Sequence, residues 1–532
     1  MSNRYLRWLS GAVIALAMLG AGTALAQKRG GVLTLSHIDS PPSPSIQEEG
    51  TSSVVIPFMA LYNNLVIYDQ HKPVNTFDTI VPELATQWDW GADGTTLTFA
   101  LRQGVKWHDG KPFTAADVKC TFDMVSGLAP NKIRKSPRKQ WWDNLAKIST
   151  SGDFSVTFHL KQRQPSFIAL LAAGWSPVYP CHVSSDAMRT KPIGTGPFRF
   201  VEYNRNENIK MVRNDNYWKP GLPYLDGIEY RIIASRSTRN LAFVSGKVDM
   251  TFPTDVTAPL LKDIRNGAPN AQCVLRPLNA NTNIIFNRDT PPFDKLEVRR
   301  AVALSVDRSA FNTILSDGQA AIGAMMLPPP EGQWGMTNEM LASLPTYGPD
   351  VAKNREEARA LMQKNGYGPA NRLKLKIVTR DLATYRDATL LMIDQMRDIY
   401  IDGEVEPVDT TLFYNRMFRK EYTLSVNITG NSLDDPDQNF FENFGCGSIR
   451  NYAGYCDKDM QDAFSAQSRE TDVAKRRAMI WEIERRLAAD VVRPIIVHDR
   501  RAACFHPYVK NMTIMTNSVY NGWRWEDVWL DK

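Results

Sequence analysis

A chain of 532 residues with 43% apolar and 23% charged side chains has an ordinary globular balance, which excludes both a disordered polymer and a bundle of membrane spans. Its formal charge of +6 is too small for that length to argue for nucleic acid as a partner. At about 100 to 200 residues per domain, two to four lobes are expected, each burying its own core.

The chain opens with Arg4 and Arg7, an apolar run from Leu9 to Leu19 and a small-x-small site at Ala24-Leu25-Ala26, the pattern of a secretory signal cleaved after Ala26. The apolar run is about half the ~20 residues a membrane-spanning helix needs. No cysteine follows the cleavage site directly, so the mature protein, starting at Gln27 with a formal charge of +4, is expected to be exported without a lipid anchor.

Short β-rich runs then alternate with helical stretches, a mixed α and β pattern without repeats or low-complexity tracts. Strands are predicted at 32–36, 95–101, 155–160, 228–234, 283–287 and 373–379, and helices at 115–126, 296–307, 355–365, 385–399 and 473–488. Trp107, His108, Asp109 and Gly110 read as a tight aromatic-supported loop, in which His108 is a hydrogen-bonded turn histidine rather than a ligand group. That loop delivers the chain to a helix with Thr114 as N-cap and Asp117 as its capping-box partner. Gly194, Gly196 and Pro197 read as a turn with unusual backbone angles. In the last long helix, Ala474, Met479, Ile480, Ile483 and Leu487 form the predicted buried face, with charges opposite.

The six cysteines include no CxxC and no Cys/His cluster of zinc-finger spacing, so neither a structural metal nor a cofactor is expected. In an oxidising compartment the even number permits full pairing, while several isolated buried thiols are the alternative. The chain has no GxSxG elbow, no HExxH and no P-loop, and its seven histidines are scattered. No enzymatic activity is read from it.

Four stretches, in order, resemble the extracytoplasmic solute-binding proteins of family 5, the substrate-binding proteins of peptide, dipeptide and nickel ABC transporters. They are VPELATQWDWGADGTTLTFALRQGVKWHDGKPFTAADV from Val81 to Val118; PIGTGPFRF with RNDNYWKPGLPYLDGIEYRII; FDKLEVRRAVALSVDR from Phe293 to Arg308; and DDPDQNFFENFGCGSIRNYAGYCDKDMQDAF. The resemblance implies an α/β, two-lobed periplasmic binding protein fold, type II and cluster C-like, with an extra subdomain inserted in the first lobe. Its implied division is a signal at 1–26, first lobe at 27–65, inserted subdomain at 66–188, first lobe again at 189–275, second lobe at 276–505 and a return to the first lobe at 506–532. The lobes would close about a hinge around a ligand. The implied function is that of a periplasmic, monomeric component of an ABC importer, which captures a small peptide or peptide-like, carboxylate-bearing solute and delivers it to permease subunits. A metal chelate of nickel or haem type, or a sugar or opine-like solute, is the alternative cargo.

In peptide-binding members an arginine after a second-lobe strand pairs with the ligand carboxylate, and an acid before an Asp-Pro-like turn pairs with its amine. Arg380 resembles the first, with a fork suited to two-point contact with an anion. At the second, Asn431 or Ser432 stands in place of the acid, with Asp434 and Asp435 close by as substitutes if the register shifts. This implies a cleft that keeps its cation and omits its carboxylate. Ser36, His37 and Asp39, after the first strand, are further candidates from the first lobe. The resemblance and the short separation of Cys446 and Cys456 imply a disulfide there; Cys120 with Cys181 is a second candidate pair and Cys273 with Cys504 a third, the connectivity beyond the first being left open.

Overall fold

The structure, a computed structural model, describes residues 27–129 and 133–532. The predicted signal sequence and its cleavage site lie outside the described residues.

Period-2 alternation of apolar side chains builds the sheets. In the first lobe, Val32–His37 pairs in parallel with Gly227–Ile232, followed by antiparallel Asn208–Arg213 and Phe198–Asn204. A separate antiparallel sheet runs in the order Ala85–Trp90, Thr96–Leu101, Ser155–Leu160, Leu145–Thr150. Strands Thr96–Leu101 and Ser155–Leu160 bury every second residue, and on that face Phe99 meets Phe158 edge-on, Phe158 meets Phe122 and Phe122 meets Trp142.

The second lobe is built on five strands in the order Ile401–Val408, Leu373–Arg380, Leu424–Gly430, Gln272–Phe286, Ile495–Phe505. The first three are parallel and the last two antiparallel. Helices Leu296–Ser305 and Ala383–Arg397 cover this sheet with a core that includes Val302, Met392 and Met396. The long strands Gln272–Phe286 and Ile495–Phe505 also reach the first lobe, because Met250 bridges Phe505 on one side and Leu35 on the other. Their ladder is interrupted between Pro277 and Asn281, where Asn279 adopts a left-handed φ of 50°. The connection between the lobes therefore bends at a bulge rather than along a continuous ladder.

The helix predicted after Thr114 spans Ala115–Ser126 with the capping box in place. Asp117 does more than cap: its second oxygen accepts the Cys181 N–H at 2.9 Å, close to the Cys120–Cys181 bond. Cys273–Cys504 and Cys446–Cys456 complete the pairing of all six cysteines.

Two readings are corrected. Gly194 and Gly196 do not have positive φ; a Cβ on either would meet the Leu61 backbone, at 1.8 Å from its oxygen for Gly194 and 2.4 Å from its carbon for Gly196. Close packing, not backbone conformation, requires glycine there. On the last long helix, Val473–Ala489, Ala474 is exposed and Met479 half-buried, whereas Arg476 and Glu484 join Ile480, Ile483 and Leu487 inside. Hydrophobic periodicity misplaces a face whose charged members find buried partners.

Candidate functional site

Strand Leu373–Arg380 ends at the interface between the lobes, and its last residue is the centre of the site. Arg380 is 1% exposed and all three of its guanidinium nitrogens are engaged. Nε donates to Thr410 Oγ1 at 2.7 Å and Nη1 to Tyr385 Oη at 3.2 Å. Nη2 donates to Ser53 Oγ at 2.7 Å and to Asp39 Oδ2 at 2.5 Å. Asp39 follows the first strand of the opposite lobe, so this ion pair spans the interface. Thr410 Oγ1 donates to the same carboxylate oxygen, closing a three-way contact.

Burial opposes charge on both partners, and each is rescued by the other. Burial pushes the Asp39 carboxyl up, but the Arg380 guanidinium, with His37, Ser53 and Thr410, leaves it below the usual carboxylate range. Burial likewise lowers the Arg380 pKa, and Asp39 with Tyr414 and Tyr385 more than reverses this. The rings of Tyr385 and Tyr414 lie 5.3 and 5.7 Å from the guanidinium carbon, within cation–π range.

Around this pair is a cavity of about 60 Å3 in the closed arrangement, with Arg380, Tyr385, Tyr414 and Tyr520 on its wall. The other arginines on that wall are also paired. Arg239 makes a two-point contact with Asp255 at 2.6 and 2.7 Å, Arg501 meets Asp499 at 2.9 Å, and Arg450 meets Glu442. Every arginine lining the cavity thus has its own carboxylate, and the cleft carries balanced charge. Asp499 and Arg501 alternate on one strand, a two-residue spacing that places both side chains on one face and was legible in the sequence. The tyrosines carry no comparable signal.

The candidate residues divide. Arg380 lines the cavity. His37 is fully buried behind it, in contact with the carbonyls of Asp39 at 2.5 Å and Ser53 at 3.1 Å and edge-on to Phe252, and burial lowers its pKa. Asn431 and Ser432 do not line the cavity: the Asn431 N–H donates to the Asn279 carbonyl, and the Ser432 carbonyl accepts from Asn521 Nδ2. Asp435 caps helix Pro436–Phe444 and holds Arg476 at 2.8 and 2.9 Å, and Asp434 accepts the Gln333 N–H in a separate depression beside Tyr68 and Asn75. Burial pushes the Asp434 pKa up to about 7. Neither aspartate faces Arg380's cavity.

The expectation of a cation without a carboxylate is therefore corrected. The acid is present, but it comes from Asp39, one of the further first-lobe candidates, 341 residues away and on the other lobe. Among the described residues, no group of three or more His, Cys, Asp and Glu is gathered to hold a metal ion, and no helix is long and apolar enough to cross a membrane.

The family model for bacterial extracellular solute-binding proteins, family 5 (middle), matches residues 79–451. Di/tripeptide-binding protein 2 of Pseudomonas aeruginosa (strain UCBPP-PA14) is 26% identical over 435 residues, which cover 76% of this chain and 79% of that one. Among solved structures, the periplasmic binding protein DppA of Helicobacter pylori in complex with the peptide STSA superposes with a TM-score of 0.82 at 22% identity, covering 95% of this chain and 99% of that one. AgaA of A. tumefacien R10, in complex with agropinic acid, gives 0.82 at 23% identity, over 94% and 99%. At these identities the two structures speak for the two-lobed fold alone.

Proposed function

Since this chain belongs to the bacterial extracellular solute-binding proteins of family 5, we propose that it is the substrate-binding component of an ABC importer, enclosing a small peptide or peptide-like solute between its lobes and delivering it to membrane permease subunits. The observation that carries the reading is the buried guanidinium of Arg380, set on one lobe, walled by tyrosines and bonded to the other lobe. Such a group gives a planar two-point site for a carboxylate, and aromatic walls suit side chains of varied shape. The di/tripeptide relative supplies the substrate class.

In this reading the protein works in the periplasm after cleavage at Ala26, as a monomer, and releases its solute chemically unchanged. The two sheets are the two lobes, the sheet of Ala85–Trp90, Thr96–Leu101, Leu145–Thr150 and Ser155–Leu160 is the inserted subdomain, and the strands interrupted at Asn279 are the hinge. A closed state that presents one composite surface gives a permease the means to prefer the loaded protein.

Thermal-shift titration with di- and tripeptides tests this. At a hundredfold excess over its dissociation constant, a specific peptide adds about 2.7 kcal/mol of stability. Saturable stabilisation by peptides supports the reading. Stabilisation by opines, sugars or metal chelates and by no peptide, or conversion of any of these compounds, sinks it.

A further inference from the structure

The charge balance of the cleft bears on which solutes can enter it. Thr410, Tyr385, Ser53 and Asp39 take four of the five N–H donors of Arg380, at least one on each nitrogen. A ligand carboxylate that pairs with this guanidinium competes with Asp39 for the same positive charge. An expelled Asp39 carboxylate stays inside the interface, where its side chain is 11% exposed, without the cation that kept it charged. No other arginine on the cavity wall can take over, because Arg239, Arg450 and Arg501 are each held by their own acid. One oxygen of Asp39, Oδ1, is already buried without a hydrogen-bond partner and stands 3.9 Å from His37 Nδ1.

We propose that Asp39 is the specificity-determining residue of this cleft: it occupies Arg380 from the opposite lobe and admits to it only solutes that bring a positive group of their own for the displaced carboxylate. A zwitterionic solute exchanges one internal ion pair for two intermolecular ones, ammonium on Asp39 and carboxylate on Arg380, and leaves the cleft neutral. A simple carboxylate leaves Asp39 unpaired and is rejected. The selection is by repulsion of the wrong class as much as by attraction of the right one. This inference rests on the peptide reading for one of its probes only.

The test uses the mature protein and two substitutions, Asp39→Asn, which keeps the shape and removes the charge, and Asp39→Ala in case the amide misfolds. In calorimetric titration with Ala-Ala and N-acetyl-Ala-Ala, the wild type is expected to prefer the free-amine peptide by at least tenfold. The variants should lose that preference to within about threefold, mainly by gaining affinity for the acetylated peptide. In a second arm, propionate, which has no peptide chemistry, should raise the melting temperature of the variants and leave that of the wild type unmoved. An unchanged peptide preference, equal weakening of both peptides, or an identical propionate response in wild type and variants overturns the proposal. If neither peptide binds any of the proteins, the peptide reading fails by itself, and the propionate arm still decides the role of Asp39.

Discussion

Two buried arginines of the second lobe, Arg380 and Arg476, hold aspartates with similar chemistry and to different ends. Arg476 meets Asp435 through two bonds of 2.8 and 2.9 Å and reaches Asp437 at 3.3 Å. Asp435 is also the N-cap of helix Pro436–Phe444, and Asp437 accepts from Gln467 and Ser468 of the neighbouring helix. Arg476 and its two aspartates lie on one lobe, so separating the lobes does not part them, although Asp437 also accepts from Gln164 and Ser166 of the segment at 66–188. Arg380 meets an aspartate that belongs to the other lobe. Burial costs both arginines and an aspartate restores both. What distinguishes the two pairs is that one lies within a lobe and the other bridges two.

The largest effect should come from breaking the pair within one lobe. Arg476→Met leaves Asp435 and Asp437 buried without a cation and should cost about 3–5 kcal/mol of stability in chemical denaturation. Because the cleft is untouched, the affinity of the refolded protein for its best peptide should stay within about threefold. A tenfold loss of affinity would mean that the Asp435 turn belongs to the site after all.

Arg380→Ala should do the reverse. Affinity for the best ligand of the peptide screen should fall by about 2–5 kcal/mol, the usual cost of truncating one partner of a buried charged contact. Isothermal titration of wild type and variant measures it, and equal affinities would remove Arg380 from the site.

Glu484 sharpens the comparison as a buried acid that no arginine neutralises by contact. One of its oxygens accepts the Met326 N–H at 2.8 Å, the other has no hydrogen-bond partner, and burial raises its pKa to about 8. A carboxyl whose pKa is higher in the folded state binds its proton more tightly there, so its contribution is present below the ordinary value near 4.5 and is lost as pH rises through about 8. The wild type should lose on the order of 4 kcal/mol between pH 5 and pH 9 from this group, and Asp434, held near 7 by burial, adds in the same sense. Glu484→Gln should flatten that part of the melting temperature against pH. A slope unchanged in the variant would assign the pH dependence elsewhere.

Much of the architecture was legible in the sequence because it is decided over short range. The alternation in Ser155–Leu160, the cap at Thr114 with Asp117, and the placement of Arg380 at a strand end all follow from neighbouring residues acting on backbone geometry. The order of family-like segments indicated the two-lobed fold, since those segments encode the same sequence of strands and turns. The last long helix was placed to within a residue, but its inner face was misread, because Arg476 and Glu484 are drawn inside by partners from other segments.

The site itself was decided by the tertiary structure. Arg380 could be singled out by its position, but whether it stood free, paired within its lobe or paired across the cleft depended on the approach of two lobes. The turn at Asn431 to Asp435 had the composition of a binding loop, yet its backbone and the Asp435 carboxylate are held by Asn279, Asn521, Gln438 and Arg476, and Asn431 Oδ1, Ser432 Oγ and Asp434 Oδ1 are buried without partners away from the cavity of Arg380. The carboxylate sought in that turn is supplied instead by Asp39, from the far end of the chain and the opposite lobe. Local sequence sets which charges a segment carries. Only the closure of one lobe on the other decides which of them neutralise each other, because an ion pair depends on distance in space and not on distance along the chain.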